Sequence, residues 1–210
     1  MEELVKIFGK YFPKEFENLD INKKEINIKD ENFVINFREN SANIIKINLI
    51  GKSKIILDVS KLKNAISYIS ISLSSNSELD LNIFGKILSK TCLALEIIGN
   101  KQSKAKILEK TLVLGEYVNI YRLIVPEEAL NSEIELNQYF MMFKNGKIIN
   151  LPILDVKEKK CIVKHSSKKI KLTEDQLFYL ESKSFSKESI INLLEKSFFK
   201  NIDKIYNIQI

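Results

Sequence analysis

Several residue types that carry chemistry are scarce in this chain of 210 residues. It has one histidine, two cysteines, three prolines, six glycines and no tryptophan. A zinc site needs several Cys or His ligands, and the chain has no Cys-x-x-Cys pair. The glycines are too widely spaced for a Gly-x-Gly-x-x-Gly turn or a P-loop, and no Gly-x-Ser-x-Gly elbow occurs. We therefore predict no catalytic, cofactor or metal site and favour a non-catalytic protein.

Long apolar runs are also missing. No stretch approaches the 18 apolar residues of a membrane helix, and the chain starts Met1-Glu2-Glu3, without the positive charge of a signal peptide. We expect a soluble cytoplasmic protein with no membrane contact. In a reducing compartment, Cys92 and Cys161 are expected to be two small buried hydrophobes rather than a disulfide.

Arginine is nearly absent, since only Arg38 and Arg122 occur among 33 basic residues. Together with abundant Ile, Asn and Lys, this lysine bias is typical of an AT-rich genome. The net charge of +6 and the pI of about 9.1 are therefore weak evidence for a polyanion partner.

The hydrophobic pattern of the first half predicts strands followed by helices. Apolar residues alternate with polar ones around residues 26–28, 33–37, 45–49 and 55–59, which indicates an antiparallel meander with a hairpin turn at Gly51. From residue 62 onward, the apolar residues have helical spacing. Residues 77–98 are apolar on several faces, which predicts a central helix that ends at Gly99.

The second half repeats this outline after a polar boundary at residues 100–106. Residues 111–125 are compatible with a strand or a helix. The Asn145-Gly146 pair indicates a hairpin, and a second hairpin is predicted with Ser166-Ser167 as its turn. Thr173 and Gln176 form a capping box that begins a helix, and a last helix follows Ser186.

These elements predict an α+β fold of two antiparallel β-meanders, each followed by helices, packed around the central apolar helix. The predicted domains are residues 1–100 and 101–210, which could also form one continuous domain.

Positive charge is concentrated in residues 157–171, which we call the lysine segment. It holds seven lysines and one glutamate, so its net charge equals that of the whole chain. The predicted hairpin would place Lys160, Lys164, Lys169 and Lys171 on one face. With Lys168, they are the candidate residues for contact with a polyanion or an acidic protein. The simpler interpretation is that these lysines only prevent edge-to-edge aggregation.

The second candidate surface is the apolar quartet Phe140, Met141, Met142 and Phe143, which makes both faces of one strand apolar. These residues belong either to the core or to a hydrophobic interface with a partner.

Few residues remain for catalysis. His165 lies in the predicted turn, where a solvated histidine is expected. A metal-dependent hydrolase could use Asp58, Asp155 or Glu158 only if these carboxylates converged.

We therefore predict a non-catalytic macromolecular binding protein: an adaptor, assembly component or inhibitor that contacts a protein partner or its own copies. Sequence-nonspecific nucleic-acid binding through the lysine segment is the alternative, and a metal-dependent hydrolase or nuclease is third.

Overall fold

Twelve strands wind into a parallel β-solenoid in the computed structural model. The structure describes residues 1–143, 145–171 and 173–206, except the side chains of 187 and 201–206. Successive strands alternate between two six-stranded sheets, so that each coil contributes one strand to each sheet. Sheet A has the order β1-β3-β5-β7-β9-β11 and sheet B the order β12-β10-β8-β6-β4-β2, and all pairs are parallel.

The strands of sheet A are β1 (Asp20–Lys29), β3 (Ser41–Ile50), β5 (Ala65–Leu73), β7 (Thr91–Ile98), β9 (Glu116–Val125) and β11 (Lys147–Val156). Those of sheet B are β2 (Asn32–Ile35), β4 (Lys52–Asp58), β6 (Glu78–Ile87), β8 (Lys104–Val113), β10 (Glu133–Met142) and β12 (Ile162–Lys171). Among the described residues, three α-helices flank them: α1 (Glu2–Phe8), α2 (Glu174–Ser182) and α3 (Lys187–Tyr206).

Alternation along each strand divides the side chains between an inner and an outer face. Inner residues of both sheets form the main core, in which Ile69, Leu95 and Ile107 are almost fully buried. Stacked coils bring residues about one turn apart into contact, as for Ser70 and Glu96, which are 26 residues apart. The interior is therefore a column of apolar side chains that runs the length of the solenoid.

Helices cover part of both outer faces. The N-terminal segment places Leu4 and Phe8 on outer residues of sheet A such as Ile66. On sheet B, Phe199 of α3 packs with Phe84, and an ion pair from Lys86 Nζ to Glu195 Oε2 (2.9 Å) also joins this helix to the sheet. Some strands are thus buried on both faces. Within the described ranges, no helix combines the length and apolar character that crossing a bilayer requires.

The rest of the outer face of sheet B carries charges of alternating sign. The register aligns Lys52, Glu78, Lys104 and Glu133 across four neighbouring strands. Lys52 Nζ lies 3.0 Å from Glu78 Oε2, and Lys104 Nζ lies 3.8 Å from Glu133 Oε1. Because opposite charges face each other directly, this ladder favours the observed register.

The predicted antiparallel meanders are wrong, although the four strands of the first half lie where the alternation placed them. β1 pairs with β3 and β2 with β4, in parallel. Gly51, with φ of +79°, connects a strand of sheet A to one of sheet B, so it is a corner and not a hairpin turn. Gly146 lies between β10 and β11, which also belong to different sheets.

The predicted central helix over residues 77–98 is also wrong, because this region forms β6 and β7. Its residues are apolar on several faces because the inner face enters the core while parts of the outer face lie under the helices. The helix predicted from residue 62 is mostly β5. Residues 111–113 end β8 and residues 116–125 form β9, with a bend between them, so the strand alternative is confirmed over the helix.

The capping box of α2 is confirmed. Thr173 Oγ1 accepts from Gln176 N at 3.2 Å, and Gln176 Oε1 accepts from Thr173 N at 3.0 Å. The division into residues 1–100 and 101–210 stays a prediction. Both sheets continue past residue 100 through the pairs β6–β8 and β7–β9.

Candidate functional site at the terminal coil

The last coil of the solenoid, formed by β11 and β12, leaves both sheets with an open edge. Each of these strands has a paired neighbour on one side only among the described strands. Pro152 lies in β11, where the missing N–H of proline is tolerated because the strand is an edge. Such edges present unpaired backbone donors and acceptors that can bind another strand.

The apolar interior is also exposed at this end. Leu154 and Val156 continue the inner-face rows of Leu123 and Val125, which are fully buried one coil earlier. In the terminal coil their exposed fractions rise to 50% and 41%. A solenoid core that ends without a polar capping repeat normally has something packed against it.

The lysine segment lies at this same end, but it is not a hairpin. Residues 162–171 form the single strand β12, so the predicted turn at Ser166-Ser167 is wrong. The pairing with β10 places Lys164 and Lys168 on the outer face, whereas Lys169 and Lys171 share the inner-face rows of Phe140 and Met142. Lys160 lies in the preceding loop. The predicted grouping of four lysines on one face is therefore wrong, while their use in binding stays a prediction.

The apolar quartet lies at the end of β10. Phe140 is fully buried in the main core and Met142 packs against it. Met141 and Phe143 are buried in the cluster that contains Phe199 of α3. A partner interface formed by these four residues stays a prediction. In the folded chain, α3 covers the two outer residues, Met141 and Phe143.

A buried carboxylate lies inside the solenoid near the terminal coil. Glu109 of β8 is fully buried and receives hydrogen bonds from neutral donors only. At Oε1 these are Thr111 Oγ1 (3.1 Å), Tyr117 OH (3.0 Å) and Asn119 Nδ2 (3.0 Å), and at Oε2 they are Asn119 Nδ2 (2.9 Å) and Gln138 Nε2 (2.8 Å). Burial raises the pKa of Glu109, and these donors oppose the shift.

Gln138 joins this carboxylate to the terminal coil. Its Oε1 lies 2.9 Å from His165 Nε2 and accepts from Asn150 Nδ2 at 3.0 Å. His165 is half-buried in the middle of β12, so the expected solvated turn histidine is wrong. Burial lowers the pKa of His165, because the charged imidazolium loses hydration there. A continuous polar chain thus runs from Glu109 to the last strand.

The three carboxylates considered for hydrolysis do not converge. Asp58 ends β4 in sheet B and accepts a hydrogen bond from Ser60. Asp155 lies in β11 of sheet A and accepts a hydrogen bond from Arg122. Glu158 accepts a hydrogen bond from the backbone of its own loop. Within the described residues, no three His, Cys, Asp or Glu side chains come together so that they could hold a metal ion.

Both cysteines are free thiols. Cys92 is buried beneath the N-terminal segment, and burial raises its pKa to about 12. Cys161 is half-buried before β12, and its thiol donates to the carbonyl of Glu158 at 3.1 Å.

Comparison with known proteins gives a family match and a related sequence. The family described as SUF system FeS cluster assembly, SufBD core domain, matches residues 91–198, just over half of the 210 residues. An iron-sulfur cluster assembly SufBD family protein of Galdieria sulphuraria, ycf24, is 26% identical over 106 residues. That alignment covers 49% of this chain and 48% of the relative, so the chain spans about half the length of the protein it matches.

The matched region contains β7–β12 and most of the C-terminal helices, and therefore the whole terminal coil. A family of assembly proteins agrees with the predicted class of non-catalytic, protein-binding components. It gives no support to nucleic-acid binding or to an AT-rich genome. On the extent of the family match, this chain belongs to the SufBD core domain family of the SUF iron-sulfur cluster assembly system.

Proposed function

We propose that this chain is a non-catalytic component of an iron-sulfur cluster assembly complex and that it binds a protein partner through its terminal coil. The observation that carries this proposal is the open end of the solenoid, where two unpaired strand edges flank the exposed inner residues Leu154 and Val156. In the proposed complex, iron and sulfur are the cargo and this chain supplies a rigid docking surface.

The charge of the terminal coil favours a partner with an acidic docking strand. β12 carries four lysines and no carboxylate, and the loop before it adds three lysines and one glutamate. An acidic edge would pair with these lysines and would also associate faster through long-range attraction. Because the lysines are divided between the two faces of β12, they suit an adjacent strand better than a continuous phosphate backbone.

The same charge argues against a second copy of this chain as the partner. A two-fold contact between terminal coils places identical surfaces against each other. Two lysine segments, each of net charge +6, would then lie close together and repel. We therefore infer a partner of different sequence.

The experiment isolates the native complex from its source with an affinity tag on the full chain. Three forms are compared: wild type, Leu154→Glu in the terminal coil and Val34→Glu in the first coil. The two substituted residues have matched exposures of 50% and 49%, so both changes add one charge to an exposed apolar position. Light scattering gives the mass of the purified species, and chemical analysis gives its iron and acid-labile sulfide.

We expect wild type and Val34→Glu to purify as the same hetero-complex with iron and sulfide, and Leu154→Glu to lose partner and cargo together. Loss in Val34→Glu but not in Leu154→Glu would place the docking surface elsewhere. A wild-type chain that is monomeric, or that forms only homodimers, would contradict the proposed partner. A hetero-complex without iron and sulfide would contradict the assembly role.

A further inference from the structure

The N-terminal segment, residues 1–19, lies on the outer face of sheet A without joining its ladder. Within the described ranges, its backbone hydrogen bonds connect residues of the segment to one another, as from Phe12 N to Gly9 O and from Phe16 N to Pro13 O, both at 3.0 Å. The first strand starts only at Asp20. The segment can therefore leave the sheet by a local opening in which every strand pair stays intact.

Side chains hold the segment in place. Leu4, Phe8 and Phe16 are almost fully buried in a cluster with outer residues of sheet A. Two ion pairs also join the segment to the sheet region. Glu15 Oε1 lies 2.5 Å from Lys90 Nζ, and Glu3 Oε1 lies 3.8 Å from Lys46 Nζ. Because exposed ion pairs contribute little, the apolar contacts supply most of the attachment and the closer ion pair adds to it.

Cys92 lies beneath this segment, two residues after Lys90. It belongs to the same apolar cluster and is fully buried. Burial raises the pKa of Cys92 to about 12, and Lys90 opposes this rise, whereas Glu15 and Glu116 add to it. Departure of the segment would remove both its apolar cover and Glu15, while Lys90 would stay beside the thiol. The same movement would therefore expose the sulfur and favour the thiolate, which is the reactive form.

We propose that the N-terminal segment is a strap that opens as one unit about its junction with β1, that the Glu15–Lys90 ion pair is its latch, and that this opening controls access to the Cys92 thiol. The solenoid stays folded in the open state, because the main core lies on the inner faces of the sheets and the strand pairs do not involve the strap. A thiol-reactive electrophile reaches Cys92 only when the strap is open.

The test measures alkylation of the full chain by iodoacetamide at about pH 8, and mass spectrometry assigns the product to Cys92 or Cys161. The thiolate sulfur forms a bond to the methylene carbon, iodide leaves, and the thiol proton goes to the buffer. Cys161, which is half-buried before the terminal coil, is the internal reference. Rates are measured at urea concentrations below the unfolding transition. We expect a weak urea dependence for Cys92, since strap opening exposes far less surface than global unfolding does.

One pair of variants tests the apolar attachment. Leu4→Ala removes a fully buried contact, and Val5→Ala shortens a neighbour on the same helix that is 43% exposed. We expect the alkylation rate of Cys92 to rise by about tenfold or more in Leu4→Ala, because the closed state alone loses this contact. The rate should remain at the wild-type value in Val5→Ala.

A second pair of variants tests the latch. Glu15→Gln removes the ion pair with Lys90, and Glu78→Gln removes an exposed pair with Lys52 on sheet B, far from the strap. We expect the Cys92 rate to rise by about twofold to fivefold in Glu15→Gln, as for the loss of a partly exposed ion pair. It should not change in Glu78→Gln.

The reference thiol and the urea dependence separate strap opening from general unfolding. The alkylation rate of Cys161 should stay at its wild-type value in all four variants. A Cys92 rate that depends on urea as steeply as global unfolding, followed by circular dichroism, would overturn the proposal. Wild-type Cys92 rates in both Leu4→Ala and Glu15→Gln would do the same. If Leu4→Ala does not fold, an unchanged rate in Glu15→Gln is sufficient to reject the strap.

Discussion

The pH dependence of stability should report directly on the buried carboxylate of Glu109. Burial raises its pKa in the folded chain, whereas an unfolded glutamate has a pKa of about 4.3. The folded state therefore binds the proton more tightly, and stability present below the unfolded pKa is lost as the pH rises through the folded pKa. The loss amounts to about 1.4 kcal/mol for each unit by which the pKa is raised.

Glu109→Gln removes this titration while it keeps the volume of the side chain. We expect the wild-type unfolding free energy to fall, relative to the variant, from about pH 4.5 upward until the folded pKa is passed. His165 contributes with the opposite sign, because its pKa is lowered and stability is lost as the pH falls. Above about pH 7.5, roughly one unit above its ordinary pKa, the imidazole is neutral in both the folded and the unfolded chain, so the difference between the two profiles there reports Glu109 alone.

The assay is urea unfolding followed by far-ultraviolet circular dichroism from pH 4.5 to pH 9, since the chain has no tryptophan for fluorescence. Thr111→Val is the control: it lacks one donor to the carboxylate but keeps the titrating group. It should be less stable by about 1 kcal/mol and retain the wild-type slope. Parallel profiles for wild type and Glu109→Gln would refute the reasoning, because they would show that this carboxylate titrates alike in the folded and unfolded states.

Two pairs of substitutions test the packing of the solenoid by thermal unfolding. Gly85→Ala should destabilise by more than about 2 kcal/mol, because φ is +149° and the new Cβ would lie 2.5 Å from the backbone nitrogen of Ser60. Gly9→Ala, also at positive φ but with nothing within 4 Å, should cost only about 1 kcal/mol, and equal losses would contradict the clash. Phe140→Ala should cost about 3–5 kcal/mol as a core truncation, against less than about 0.5 kcal/mol for Phe178→Ala, which is 72% exposed. A small loss at Phe140 would mean that this residue is not a core contact.

Local periodicity was sufficient to find the first strands but not their partners. Alternation reports which residues face inward, and β1–β4 have that alternation whether their neighbours are parallel or antiparallel. Pairing in a solenoid depends on residues one coil apart. The offset is 21 residues between Asn48 and Asn27 but 26 between Ser70 and Glu96. A repeat of variable length and little residue identity gives no clear period, so the parallel pairing was not predicted.

The covering helices explain the remaining error in the fold. β6 and β7 are buried on the inner face and on parts of the outer face, so their apolar residues do not alternate simply. A short apolar run of this kind is compatible with either a strand or a helix. The capping box at Thr173 was predictable because its two residues are three apart and act locally.

Glu109 and Gln138 were missed, and His165 was wrongly placed in a turn, for a related reason. Glu109, Gln138 and His165 lie on three successive strands of sheet B and are spaced by 29 and 27 residues. Nothing local marks them, because a single polar residue on the inner face of a strand resembles any other break in the apolar pattern. Only the coil register places them in contact, and the same register divides the lysines of β12 between two faces. In this fold the chemistry of the terminal coil is therefore set by which residues stack, and the total charge of a segment does not reveal it.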